Sequence, residues 1–103
     1  MKFYAERVLD LDGMVRRNGD WLTASVSDDL VMMSVETGQY MGVSRIGRRV
    51  WELIGSPRTV EALCGQLVGE YKVEPEACRS DVEDFLREMV ELKAIMIDEA
   101  LPG

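Results

Sequence analysis

The stretch Met32–Leu53, MMSVETGQYMGVSRIGRRVWEL, decides how this chain folds. Its first part is rich in β-formers and turns over at Glu36-Thr37-Gly38, and Gln39–Val43 (QYMGV) then reads as a second strand. Gly38 fits a tight hairpin connection, which usually needs one residue at positive φ, where glycine has no steric penalty. At Ser44 the periodicity changes. Serine is a good N-cap type, and Ile46, Val50, Leu53 and Ile54 recur behind it at helical spacing. The stretch is therefore a hairpin feeding a helix, with no residue in it that looks catalytic.

Working outward, WLTASV (residues 21–26) reads as a strand before the turn-like Ser27-Asp28-Asp29, and LVMMSV (residues 30–35) as its neighbour. Together with residues 39–43 these form a three-stranded antiparallel meander. Downstream, GSPR breaks the first helix and Thr59 caps a second, whose apolar residues run Val60, Leu63, Cys64, Leu67, Val68, Tyr71. A third helix starts at Pro75, well placed at a first helical position, with Glu74 and Glu76 at the positive end of its dipole. Its stripe is Cys78, Val82, Phe85, Leu86, Met89 and Leu92. Val15–Arg17 and Ala94–Ile97 are each compatible with a short extended piece. The fold class expected is α+β: a three-stranded antiparallel sheet followed by a three-helix bundle. Residues 1–20 form a poorly patterned N-terminal segment, residues 21–97 the domain, and residues 98–103 a flexible tail.

One hundred and three residues suit one core. Nineteen acidic against twelve basic residues give a net charge of −7, a field that opposes binding to phosphate backbones. There is no histidine, which removes the commonest general base and metal ligand. Two cysteines make a poor zinc site, and Cys64 and Cys78 fall on apolar helix faces, as inert core thiols do. No metal, cofactor or catalytic group is expected. No apolar run is long enough to span a bilayer, and charges interrupt MKFYAERVLDLDG where a signal peptide would be apolar, so the expectation is a cytoplasmic protein without membrane contact.

Five features remain open to a functional reading. Asp81, Asp84 and Glu88 line one edge of the third helix's stripe, either as a solvated face or as the flank of a groove. Arg45, Arg48 and Arg49 cluster on the first helix, either as a solvated face or toward phosphate if the domain were a winged-helix DNA-binding regulator. Trp21, Tyr40 and Trp51 are expected as partly buried core rather than as a binding platform. Gly42, inside the last strand, marks a bulge or a close approach to the backbone, and a bulge is the simpler reading. Gln39–Val43 carries no proline and no charge; if it is a sheet edge, nothing in it blocks pairing with an added strand. The alternative is that the strand is covered within the protein or by a second copy.

The ordered set ETGQYMGV, Gly47 with VWELI, PRTVEALCGQLVGEY and VEPEACRSDVEDFLREM resembles the PqqD family of small peptide-binding domains, over about residues 21–97. The resemblance implies a winged-helix-like fold and a recognition element for ribosomally made, later modified peptides. Such a domain binds the leader of a precursor peptide as an added strand, in a groove shared with the third helix, and presents it to a leader peptidase or another tailoring enzyme. On this chain that implies Gln39, Tyr40, Met41, Gly42 and Val43 on the strand side, with Gly42 as a point of close approach for the bound peptide rather than a bulge, and Asp81, Asp84, Phe85 and Glu88 on the helix side. The style of LVMMSVETGQYMGV and PRTVEAL is most similar to the stand-alone lasso peptide branch. A monomer or weak dimer without nucleic acid is the expected state. Ser44 stands where the family often has asparagine, and both cap helices well.

Overall fold

A computed structural model describes residues 13–27 and 29–98. In chain order the elements are β1 (Met14–Arg17), β2 (Trp21–Val26), β3 (Asp29–Ser34), β4 (Tyr40–Val43), α1 (Arg45–Leu53), β5 (Arg58–Thr59), α2 (Val60–Tyr71), α3 (Pro75–Glu91) and β6 (Ile95–Asp98). The expectations for residues 1–12, including that of no export signal, and for tail residues 99–103 lie outside the described residues; Asp98, expected to begin the tail, is instead the last residue of β6 and pairs with Met14.

The meander is present as β2-β3-β4, all antiparallel. Its turn is built locally. Gly38 has φ +77°, Gly38 N–H donates to the Ser34 carbonyl, and the Ser34 hydroxyl accepts from Thr37 N–H. Alternation along β3 sends Leu30, Met32 and Ser34 inward, all buried, while Asp29 and Met33 stay exposed. β4 follows the same rule: Val43 is buried and Tyr40 points away.

α1 packs on β3 and β4, α2 against α3 and β5, and α3 against β6. Ser44 Oγ accepts from Gly47 N–H and Thr59 Oγ1 from Ala62 N–H, so both expected caps form. Pro75 opens α3 at its first turn with Glu76 beside it, although the Glu74 side chain makes no capping bond. The helices bury Val50, Trp51, Leu63, Leu67, Val82, Leu86 and Met89 in one core.

A second three-stranded sheet, β5-β1-β6, was not anticipated. The extended pieces at Val15–Arg17 and Ala94–Ile97 are partners: Val15 pairs with Ile97 and Arg17 with Ile95, and Val15 is fully buried. This sheet also finishes α1. Arg17 donates through Nε and Nη2 to the Trp51 carbonyl (3.0 and 2.6 Å), and Arg58 Nε donates to the Leu53 carbonyl at 2.6 Å. These are carbonyls at the helix C-terminus that lack a full set of partners inside the helix.

Candidate functional site

β4 is an edge: among the described residues its only strand partner is β3. Which of its backbone groups face outward follows from the register. Ser34 N–H donates to the Gln39 carbonyl at 2.8 Å, so Ser34 and Gln39 form a bonded pair. The ladder then runs Met33↔Tyr40, Met32↔Met41, Val31↔Gly42, Leu30↔Val43. Bonded and non-bonded pairs alternate in an antiparallel ladder. Met41 and Val43 therefore pair inward with β3, and Tyr40 and Gly42 turn their N–H and C=O groups to the open side.

That continuous ladder corrects the reading of Gly42 as a bulge, since one residue opposes one residue throughout. A Cβ at Gly42 would meet nothing within 4 Å, so nothing inside the described chain approaches it closely either. Tyr40 also departs from expectation. It is 75% exposed rather than partly buried, because its position on the pleat sends it to the face away from the helices. Trp21 is half-buried and Trp51 buried, as anticipated.

The opposite wall comes from α3. Phe85 lies against Gly47 of α1 next to Val43, at the C-terminal end of β4. At the other end Trp21, Gln39, Tyr40, Met41 and Leu92 line a small hollow of about 50 Å³. α3 thus runs past β4 in the opposite sense. Phe85 to Leu92 spans about 10.5 Å of helix, and Val43 to Tyr40 about 10 Å of strand, so the two walls match in length.

Asp81, Phe85, Glu88 and Leu92 follow one another at four, three and four residues, which keeps them on one stripe of α3. The side chains named on sequence grounds therefore divide. Asp81, Phe85 and Glu88 share one stripe with Leu92, of which Phe85 and Leu92 stand beside β4, and among the described residues neither carboxylate has an ionic partner. Asp84 lies on the order of 70° around the helix from the centre of that stripe. Its side chain is 75% exposed and pairs with Arg87 at 3.5 Å. The structure does not bring it to the groove. Trp21 and Leu92 were not among the expected site residues, although Leu92 sat on the apolar stripe of the third helix. That stripe is wider than the core needs: Phe85 and Leu92 are its half-buried shoulder beside the groove.

The strongly perturbed groups lie elsewhere. Arg49 reaches both carboxylate oxygens of Glu70 at 2.8 Å, and Gln66 donates to the same group at 2.6 Å. Those bonds, Arg49 first, hold the Glu70 carboxyl down to about 2. Burial pushes the Cys64 thiol up, and Cys64 and Cys78 are both buried free thiols. Among the described residues no three His, Cys, Asp or Glu side chains group as metal ligands, and no helix is long and apolar enough to cross a membrane. What the site offers is main-chain hydrogen bonding along an uncharged strand, with apolar and acidic side chains opposite.

The sequence profile of the family described as coenzyme PQQ synthesis protein D (PqqD) matches residues 29–95. A solved structure described as TbiB1 in complex with the TbiA(beta) leader peptide superposes with a TM-score of 0.69 at 24% identity. The match covers 85% of this chain and 99% of that one, and it shows a shared fold. No curated protein matches the sequence.

Proposed function

The chain belongs to the PqqD family, and on that premise we propose that it is an adaptor without a reaction of its own. It takes the leader segment of a ribosomally made precursor peptide as an added strand beside β4 and delivers it to a leader peptidase or another tailoring enzyme. The observation that carries this reading is the open edge of β4. Tyr40 and Gly42 present unpaired backbone groups there, on a strand with no charge or proline to repel a partner. The solved neighbour was described with a leader peptide, which supports the same role here.

In this reading Gln39–Val43 supply the strand, and Asp81, Phe85, Glu88 and Leu92 the helix wall. The pathway is lasso peptide biosynthesis and the compartment the cytoplasm, in keeping with two free buried thiols. A DNA-binding role has little to work with. Arg48 and Arg49 are tied to Glu52 and Glu70, and Arg45 stacks over the Tyr71 ring.

The test is titration of a fluorescent leader peptide from the precursor encoded beside this gene. Micromolar or tighter binding is expected, roughly −8 kcal/mol or better. Absence of binding with the cognate leader overturns the proposal.

A further inference from the structure

The outer face of the meander is unusual for an antiparallel sheet with one face on the core. Such a sheet commonly meets water with polar side chains on its other face. Here the register sets Leu22 opposite Met33 and Met33 opposite Tyr40, so three large apolar side chains form a row across all three strands. They are 58%, 36% and 75% exposed, and Val26 on the same face of β2 is 57% exposed. Within the three strands the one charged residue on that face is Asp29, at the hairpin end. A contiguous apolar face of this kind marks an interaction surface.

We infer that this face docks the enzyme that acts on the bound leader, through an uncharged apolar patch on that enzyme. The inference rests on the leader-binding reading and adds a second surface to it. Its support is continuity. The row ends on Tyr40, the residue whose backbone also faces the open edge. A strand added beside β4 extends the sheet, and its alternate side chains continue the same face. A partner seated there touches the domain and the leader together, which is what delivery requires. A second copy of this chain is the poorer occupant, because it brings a net charge of −7 against another −7.

Leu22→Glu and Ala24→Glu test the inference, Ala24 being an exposed residue of the same face opposite Val31. Both positions lie on β2, two strands from the leader edge, and both are exposed, so the fold tolerates them; circular dichroism checks this. Val73→Glu, an exposed position between α2 and α3, is the control. The probes are a labelled leader peptide and the leader peptidase from the same gene cluster. A charge carried into an apolar interface must be desolvated there without a partner. Leader affinity should therefore stay within about twofold of wild type, while peptidase binding and leader cleavage fall about tenfold or more in both β2 variants and not in the control. Unchanged cleavage in both β2 variants overturns the inference. So does a wild-type dimer that Leu22→Glu splits without loss of cleavage. Failure of the wild type to bind leader overturns the earlier reading instead. The face is then judged by titrating the peptidase with unloaded protein, where equal binding of wild type and Leu22→Glu overturns it and loss in the variant supports it.

Discussion

Phe85 of α3 closes over Gly47 of α1: a Cβ built on Gly47 would stand 2.8 Å from the ring's Cε1 and 2.6 Å from Val43 Cγ1. Both neighbours belong to the walls of the groove, so this glycine sets how close α1 lies to β4 and α3. Alanine in a helix interior gains up to about 1 kcal/mol over glycine, whereas forcing a methyl into a packed site costs about 1–3 kcal/mol. Val43 is buried and β-branched and has little freedom to yield. Gly47→Ala should therefore lower the melting temperature and weaken leader binding together. A variant that melts higher than wild type with unchanged leader affinity contradicts this account.

Proline scanning separates the two sides of β4. Proline removes a backbone donor. At Gly42 the lost N–H is one that faces the open edge, so Gly42→Pro should abolish measurable leader binding while the native circular dichroism spectrum remains. At Met41 the lost N–H pairs with β3, so Met41→Pro should instead unfold or strongly destabilise the domain, by about 3 kcal/mol or more if the cost resembles that of a helix interior. Thermal melts and leader titrations on the same two variants decide it, and the reverse pattern would mean that the register argument is wrong.

Features encoded within a few residues were legible in the sequence. Ser44 and Thr59 cap their helices, Pro75 opens the third, and Gly38 takes the positive φ of the hairpin. The meander and the three apolar stripes follow from period-2 and period-3.6 patterns that need only local sequence. The second sheet does not. β5 has two residues, and β1 meets β6 across some eighty positions of sequence, so neither strand carries a pattern that names its partner. The edge strand was found, but not which of its N–H groups face outward. That depends on one turn bond, Ser34 N–H to the Gln39 carbonyl, and a shift of one residue exchanges Met41 and Val43 for Tyr40 and Gly42. Asp84 shows the same limit on α3: sequence spacing groups it with Asp81 and Glu88 on one edge of the stripe, and it is the member that pairs with Arg87 and lies farthest round the helix from Phe85.

The Arg49–Glu70 pair gives a pH dependence with a definite sign. The Glu70 carboxyl is held at about 2 in the fold against an ordinary 4.5. A carboxyl whose pKa is lower folded than unfolded adds stability that is complete above the ordinary value and is lost as pH falls through the folded one. Glu70→Gln should therefore melt below wild type near neutral pH. The gap should shrink between about pH 5 and pH 2. A gap that stays constant across that range would show that the pair does not couple to folding.

Arg17 ties the N-terminal strand to the helix that supports the site. Its guanidinium sends two hydrogen bonds to the Trp51 carbonyl and lies 4.6 Å from the centre of the Trp51 ring. Lysine keeps the charge but not the planar fork, so Arg17→Lys is not conservative here. Arg17→Ala should cost about 1–2 kcal/mol, the scale of a charge-assisted hydrogen bond to a helix-end carbonyl, and Arg17→Lys should recover less than half of that loss. Urea unfolding midpoints measure both. Leader affinity should stay within about threefold of wild type, because Arg17 touches the far end of α1 and not the groove. Full recovery by lysine would show that charge near the end of α1, rather than the two directed bonds, holds this junction together.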